Sequence, residues 1–437
     1  MERSRCSTGR WLRSNRPPMH RRHFLIALAL GPVAAAAGCR SLVPSGTGGR
    51  QRLFFTSAGK TCLVAADGSG PRPMEFDVPG QATWQPGPPF SDGNRVMFLS
   101  MEPRRDGPGR PFEEYYTQTP THLWVHDLDR GGLTEIATRD RLAVFCTPQA
   151  LLDDHRMLVQ VVRGKVGQVY SMDLDGGNAR EFTRASEGLP YGFSVRPDGR
   201  RVAFHLASPQ GYQVWTSDAE GRDRKLVAAH PDHLYFGPTW SPDGQWLLFQ
   251  DCLFKDDPGH ERSDLCVARP DGSELRRLTT GQPQWFAATY GNPQARGSGS
   301  NMPTWTPDGK ILFSRLTPGA KVAWDYRPDR PDTDHFNRDW RPDLARGGTE
   351  ICRIDPGDGS LVRLTRSEPS VWDLRATSSP DGRLIAFCRC AVGETASLWV
   401  MDADGGNPRR LTDGLDGRGA DQPRWLPARL PTKTRTR

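Results

Sequence analysis

"PTWSPDGQWLLFQ", residues 238–250, is the stretch of sequence that decides the fold. Its centre has the chemistry of a tight turn: Pro242 fixes φ, Asp243 can bond its own backbone, and Gly244 accepts a positive φ. Before the turn, "PTW" begins with a proline, which the first position of a strand tolerates. After it, "QWLLF" is a short apolar run that is typical of a strand buried on both faces. The stretch therefore predicts a strand, a tight turn and a second strand.

Copies of this phrase recur along the chain, at residues 193–205, 303–315 and 376–388. They alternate with a second phrase, "LWVMDADGGNPRRLT" at residues 398–412, whose relatives begin at residues 123, 169, 214, 265 and 351. Each relative combines two strands with an Asp-Gly type turn, which is a hairpin signature. One phrase of each kind makes a unit of four strands.

Four-stranded units that repeat every ~40–50 residues indicate the blades of a β-propeller. The count predicts an all-β, seven-bladed propeller, with six blades as the alternative because residues 143–183 lack Pro-Asp-Gly. The second phrase comes first in the chain, and a single strand, residues 421–427, remains at the far end. We expect that strand to complete the blade begun by residues 52–76, which closes the ring and removes its free edges.

The repeats resemble those of a known family. "WSPDG" at residues 240–244, followed by an apolar strand, and "DADGGNPRRLT" at residues 402–412 are similar to the TolB-type, WD40-like (PD40) propeller repeat. The resemblance covers nearly all of residues 52–427 and implies the propeller fold. Similar repeats occur in periplasmic Tol-system proteins, in prolyl-oligopeptidase-like peptidases and in oligogalacturonate lyases, which bind a metal. No Gly-x-Ser-x-Gly elbow occurs in the sequence, so we expect no hydrolase domain of the peptidase kind.

Residues 1–39 have the features of a targeting segment. Arg21 and Arg22 precede an apolar run that ends in "AAAAGC", with Cys39 as its last residue. Paired arginines before such a run predict a Tat-type signal, and small residues before a cysteine resemble a lipoprotein cleavage box. We therefore expect lipidation of Cys39. The alternative is a transmembrane anchor, for which the run falls short of the ~20 apolar residues needed.

The remaining chain divides into a flexible tether (40–51), the propeller (52–431) and a disordered basic tail (432–437). The formal charge of +7 is misleading, because seven arginines and one glutamate precede Cys39. A nearly neutral mature chain argues against nucleic acid as a partner. We expect a monomer that is exported by the Tat route and anchored by lipid in the periplasm or at the outer membrane.

The connections between strands predict a plain side and an elaborated side of the propeller. We call the side with the Pro-Asp-Gly and Asp-Gly turns the turn face, and the opposite side the loop face. The long connections all join a second strand to a third, or a fourth strand to the next first: residues 101–121, 228–235, 251–263, 280–302 and 315–348. Long connections on a rigid scaffold are where binding residues concentrate.

Aromatic and charged side chains of the loop face supply two groups of candidate site residues. The binding aromatics are Trp285, Tyr290, Trp324, Tyr326 and Trp340. They suit a carbohydrate or peptide, or alternatively they cap a small core of their own. The candidate ligand or metal residues are His230, His233, Asp251, His260, Asp332, His335 and Asp339. Imidazole with carboxylate suits a divalent cation, or a base and the group that orients it, and alternatively these are ordinary surface residues.

Two functions are compatible with these patterns. The first is a binding or scaffold module for a protein or glycan partner in the cell envelope, with no cofactor. The second is a metal-assisted polysaccharide lyase or hydrolase that uses the histidine loops. Cysteine usage leaves one further alternative open, because Cys252 and Cys266 flank one loop and could form a disulfide or lie buried as thiols.

Overall fold

The computed structural model describes residues 51–102, 120–140, 142–143, 150–163, 166–208, 211–231, 233–252, 263–283, 300–326 and 338–428. Over these residues the chain is all-β, as the repeats predict. Its helical segments there are single turns of 3-10 helix: Ala185–Glu187, Pro342–Leu344 and Leu415–Gly417. None of the helices within the described ranges is long and apolar enough to cross a membrane.

The strands, numbered in chain order, pair antiparallel in successive sets that run from an inner strand outward. Those of the first half are β1 (Arg52–Ser57), β2 (Lys60–Ala65), β3 (Arg72–Pro73), β4 (Ala82–Pro89), β5 (Arg95–Met101), β6 (Pro120–Asp127), β7 (Leu133–Ile136), β8 (Leu142–Ala143), β9 (Ala150–Leu151), β10 (Arg156–Arg163), β11 (Val166–Asp173), β12 (Arg180–Glu181), β13 (Leu189–Val195), β14 (Arg201–Ser208), β15 (Gly211–Asp218) and β16 (Lys225–Ala228).

Those of the second half continue the same order. They are β17 (Leu234–Trp240), β18 (Leu247–Cys252), β19 (Asp264–Ala268), β20 (Arg276–Arg277), β21 (Thr304–Trp305), β22 (Ile311–Leu316), β23 (Trp324–Tyr326), β24 (Arg338–Trp340), β25 (Thr349–Ile354), β26 (Leu361–Arg363), β27 (Val371–Ser378), β28 (Leu384–Ala391), β29 (Ser397–Asp402), β30 (Arg409–Thr412) and β31 (Asp421–Trp425). The hairpin β23–β24 pairs only with itself among the described strands.

The opening phrase folds as its chemistry predicts. β17 and β18 pair antiparallel, and every residue of β18 is buried. In the turn between them, the Gly244 N–H donates to the Ser241 carbonyl at 2.9 Å, and Asp243 Oδ1 accepts from the Gln245 N–H at 3.0 Å. Gly244 has φ +68°, a conformation that glycine adopts without strain.

The segment without Pro-Asp-Gly forms its turn by other means. There Asp153 Oδ1 accepts the N–H groups of His155 and Arg156, each at 2.7 Å, and starts β10. The inner strand is reduced to two short pieces, because both β8 and β9 pair with β10. The aspartate contact of the repeat's usual turn, seen between Asp243 and Gln245, is therefore kept here without the Pro-Asp-Gly sequence.

The last strand pairs with the first. β31 lies antiparallel to β1, with Leu53 opposite Trp425 and Phe54 opposite Arg424. This is the pairing that the sequence predicts between the two ends of the repeat region. It places β31 as the inner strand of the set that continues with β1, β2 and β3.

Parallel contacts between neighbouring sets fix which connections share a face. β15 meets β17 in parallel at Tyr212 and Leu234, and β25 meets β27 in the same way at Thr349 and Trp372. The third strand of one set and the first strand of the next therefore begin at the same side. Both are preceded by loop-face connections, as predicted.

The core lies in layers between neighbouring sets rather than in one central cluster. Leu248 and Leu265 of one set pack against Ile311 and Phe313 of the next, and all four are buried. Full burial of each such side chain stabilises the fold by about 1.5–3 kcal/mol. The described cysteines, Cys252 and Cys266 among them, are buried and form no disulfide within the described residues, so they act as small apolar residues.

Candidate binding site on the loop face

Two of the predicted site residues make a direct contact at the loop face. His233 lies just before β17 and Asp251 near the end of β18, at the edge of the 253–262 connection. His233 Nδ1 lies 2.9 Å from both Asp251 Oδ1 and Oδ2. The ring of His230 lies against that of His233, with centroids 4.3 Å apart. A histidine oriented by a carboxylate through Nδ1 is the arrangement of a base and its orienting group.

The same cluster contains a cation and a second carboxylate. Asp264, the first residue of β19, lies opposite Asp251 in the strand register. Arg277, from β20, donates through Nη2 to Asp251 Oδ2 at 2.7 Å, and its Nη1 lies 3.5 Å from Asp264 Oδ2. Both carboxylates are almost fully buried, with Asp251 1% and Asp264 3% exposed. Buried carboxylates need such partners, and here Arg277 serves both.

Burial sets the protonation of this cluster. It raises the pKa of Asp264, although hydrogen bonds from the Gly281 N–H and the Thr279 hydroxyl lower that pKa in part. Burial and the nearby Asp251 carboxylate raise the pKa of Tyr235 to about 12. Burial lowers the pKa of Arg277, but the charges of Asp251 and Asp264 outweigh it and raise that pKa overall. Arg277 is therefore a fixed cation between two carboxylates.

Arg277 was not among the residues that the sequence pointed to. The signal lay in the repeat, since "RLT" occurs at residues 277–279, 363–365 and 410–412. In the second copy, Arg363 Nε lies 3.2 Å from Glu350 Oε2, and Glu350 holds the position that corresponds to Asp264. In the third copy Arg410 donates to the Ser397 hydroxyl at the same position, so the contact of this arginine with a residue at the start of the neighbouring strand recurs in the repeat. In the copy at residues 277–279, Asp251 and His233 join this contact.

The cation also bears on metal binding. Because Arg277 already neutralises Asp251, a divalent ion at Asp251 would have to displace it. Within the described ranges, no group of three or more His, Cys, Asp or Glu side chains is placed to hold a metal. The arrangement suits Asp251 as an orienting group rather than as a ligand.

The remaining candidates fall largely outside the described residues. His260, Asp332, His335, Trp285, Tyr290 and the lipidation candidate Cys39 all lie outside them. Of Trp324, Tyr326, Asp339 and Trp340, the backbone is described. Trp324 lies opposite Trp340 in the β23–β24 hairpin, and Tyr326 lies opposite Arg338.

Comparisons with known proteins give short or distant likenesses. No family model matches the chain. It is 25% identical over 253 residues to an uncharacterized protein of Agrobacterium fabrum. That alignment covers 47% of this chain and 86% of the other protein. It is 41% identical over 83 residues to Tol-Pal system protein TolB 1 of Novosphingobium aromaticivorans. That alignment covers 18% of this chain and only 17% of that TolB.

Among solved structures, a puromycin hydrolase has a TM-score of 0.51 at 15% identity, covering 90% of this chain and 57% of that one. TolB from Acinetobacter baumannii has a TM-score of 0.40 at 16% identity, covering 86% of this chain and 82% of that one. The β-propeller domain of a Pyrococcus furiosus protease has a TM-score of 0.48 at 12% identity, covering 85% and 97%. By its own strand pairing the chain is an all-β protein of the propeller kind, and its repeats resemble those of TolB.

Proposed function

We propose that this protein is an exported, lipid-anchored propeller that binds a protein or glycan partner in the bacterial cell envelope through its loop face. The observation that carries the proposal is the asymmetry of the connections. Turn-face connections such as residues 241–246 and 269–275 are short, whereas the strands on either side of the long sequence segments 103–119, 253–262 and 284–299 end and begin at the loop face. A plain face and an elaborated face on one rigid scaffold favour binding at the elaborated one.

The proposed ring has seven blades, is closed by β31 on β1, and acts as a monomer. The successive four-stranded sets and the pairing of Leu53 with Trp425 support this arrangement. The likeness of 83 residues to a Tol-Pal system protein supports a location in the envelope. The proposed division is a signal (1–39), a tether (40–51), a propeller (52–431) and a basic tail (432–437).

Site-specific photo-crosslinking in cells tests the binding face. A photoreactive phenylalanine analogue is placed at Pro231 or Glu368 on the loop face and, as the matched control, at Ser273 or Asn407 on the turn face; all four residues are exposed. We expect crosslinked species from the loop-face positions and none from the turn-face positions. Crosslinks of equal yield from both faces would contradict the proposal.

Metabolic labelling with a fatty-acid analogue tests the anchor separately. The Cys39→Ser variant should lose the label and leave the membrane fraction, because Cys39 is the proposed acylated thiol. Cys6→Ser is the control, since it lies in the same segment outside the cleavage box, and it should keep the label. Label retained in Cys39→Ser would disprove lipidation at this residue while leaving the binding proposal standing.

The second function, a metal-assisted polysaccharide lyase or hydrolase, is favoured by one observation, the contact between His233 and Asp251. Its test is calorimetric titration with Mn²⁺, together with the ultraviolet absorbance of an unsaturated product from polygalacturonate. An enzyme of this kind should lose the product in His233→Ala, because His233 is its proposed base. It should lose Mn²⁺ binding in His335→Ala and retain both properties in His155→Ala. Absence of both Mn²⁺ binding and product in the unaltered protein would exclude it.

A further inference from the structure

The inner strands share an irregularity that the repeat phrases do not reveal. The register shifts within β13, β17 and β27 at the same place relative to the turn that follows, as at a β-bulge. The residues with positive φ at these places, and at the corresponding place in β31, are Gly192, Gly237, Arg375 and Gln422. Each bulge turns a segment of inner backbone out of the regular ladder.

Two of these positions require glycine, and two others carry large polar side chains. A Cβ on Gly192 would lie 2.8 Å from His205 Nδ1, and one on Gly237 would lie 2.0 Å from Met302 Cε. At Arg375 and Gln422 the same left-handed conformation holds a non-glycine residue, which costs roughly 1–2 kcal/mol each. Strained non-glycine residues concentrate where a side chain is needed in one particular place.

Both strained residues line one cavity. Its volume is about 70 Å³, and its polar lining includes Ser300, Thr304, Arg375, Gln422 and Arg424. One water needs roughly 10–15 Å³, so the cavity has room for a few waters or for a group the size of a carboxylate. We call it the inner-strand cavity.

Among the residues that line the cavity, Arg424 has a hydrogen-bond donor that no described residue accepts. Its Nη2 donates to the carbonyls of Pro86 at 2.8 Å and Gly87 at 3.2 Å. Its Nη1 is shielded from solvent and has no hydrogen-bond partner among the described residues, nor does any described carboxylate pair with Arg424. Burial lowers the pKa of Arg424 to about 10, because its charge is poorly compensated.

The second arginine of the cavity is neutralised. Arg375 forms an ion pair with Asp421. The Cys388 thiol donates to the other carboxylate oxygen of Asp421 at 3.1 Å. Arg375, Asp421 and Arg424 together leave one positive charge at the cavity, and that charge belongs to Arg424. A single anion is the ligand that would compensate it.

We propose that the inner-strand cavity binds a carboxylate group, with Arg424 as the charged donor and Gln422 as a neutral one. The volume admits the headgroup and a short stem, and the single positive charge matches a monoanion better than a phosphate. This site is distinct from the loop-face cluster around Asp251. It would serve a small organic acid, or the carboxylate end of a longer ligand.

The test is thermal unfolding of the purified protein with sodium propionate, against sodium chloride of equal ionic strength. We expect a saturable rise of a few degrees with propionate only, because a ligand that binds the native state raises its stability. Arg424→Gln should abolish the rise. Arg353→Gln should retain it, because Arg353 likewise donates to a carbonyl, that of Ala403 at 3.0 Å, but away from the cavity.

Three results would overturn the proposal: no propionate-specific rise, a rise that survives in Arg424→Gln, or a larger rise with inorganic phosphate than with propionate. Arg424→Lys covers the case in which Arg424→Gln does not fold. It keeps the charge without the fork of donors, so we expect a weakened rise, and an undiminished one would also overturn the assignment to Arg424. A peptide ending in a free carboxylate, compared with its amidated form, then distinguishes a chain end from a small acid.

Discussion

Asp251 is the residue on which the loop-face cluster depends. Asp251 is 1% exposed, and its carboxylate contacts both His233 Nδ1 and the Arg277 guanidinium. We expect Asp251→Asn to lower the free energy of unfolding by about 2 kcal/mol, because it weakens two charge-assisted contacts of a buried group. Urea denaturation measures the change.

Asp175→Asn is the matched control for that experiment. The ion pair of Asp175 with Arg139 is exposed, with more than half of each side chain accessible, so its loss should change stability by less than about 1 kcal/mol. Equal effects of the two substitutions would show that the Asp251 contacts contribute no more than a surface pair.

Asp264 gives the cluster a pH dependence of definite sign. Its folded-state pKa lies above the unfolded value because of burial, so the folded protein binds this proton more tightly. Its contribution to stability is therefore full below the unfolded pKa and is lost as pH rises through the folded pKa. Relative to Asp264→Asn, the unaltered protein should gain stability as pH falls from 7 to 4 in a denaturation series.

Asp223 should show the opposite sign in the same series. Its hydrogen bond from Arg201, at 2.6 Å, lowers its pKa, so its contribution is lost as pH falls. Relative to Asp223→Asn, the unaltered protein should lose stability between pH 7 and pH 3. Parallel curves for the two variants would contradict the assigned directions.

The residue scale is also where sequence reasoning reached its limit. His233 and Asp251 could be singled out because imidazole and carboxylate in long connections are chemically distinctive. Arg277 could not, because its "RLT" copy reads as ordinary repeat sequence. What distinguishes Arg277 is its contact with Asp251 of another strand. That contact depends on the register between strands, which the amino-acid composition does not reveal.

At the level of single elements, the turns were predictable and the bulges were not. Pro242-Asp243-Gly244 carries its conformation in its own side chains, so the turn between β17 and β18 follows from local chemistry. The bulge at Gly237 depends on two residues of β17 facing one of β18, which alternation of apolar residues does not encode. Arg375 and Gln422, at corresponding positions, give no local sign of a positive φ.

The bulge of β17 is tested by Gly237→Ala. A Cβ there meets Met302 Cε at 2.0 Å, in addition to the unfavourable φ of +66°. We expect a loss of more than about 2 kcal/mol in the free energy of unfolding, the sum of steric overlap and backbone strain. Measured against Met302→Ala alone, Gly237→Ala should lower the free energy of unfolding by less, because Met302→Ala removes the overlapping group while leaving a cavity of its own.

Gly309→Ala separates strain from overlap. Gly309 has φ +80° with nothing within 4 Å of an added Cβ, so only the backbone cost of about 1 kcal/mol is expected. If Gly237→Ala lowered the free energy of unfolding no more than Gly309→Ala does, the close contact between Met302 and Gly237 would be contradicted.

On the scale of the whole molecule, the fold followed from repetition. A single copy of the opening phrase predicts a hairpin, and only its recurrence with the second phrase predicts a propeller. The pairing of β31 with β1 could be inferred from the two ends of the repeat region. The chain begins with a second phrase that lacks its inner strand, and it ends with a single strand that can supply it. The function could not be inferred in the same way, since propellers with similar repeats serve several unrelated activities.

The pairing of β31 with β1 is the claim on which the proposed closed ring and the inner-strand cavity depend, because β31 supplies Arg424 to the cavity and completes the first set. Hydrogen exchange of β1, compared between the full chain and chains truncated after Ala420 or after Ala428, tests it most directly. Truncation after Ala428 should leave the amides of Arg52–Ser57 protected, and truncation after Ala420 should expose those that pair with β31. Unchanged protection of β1 without β31 would contradict the closed ring.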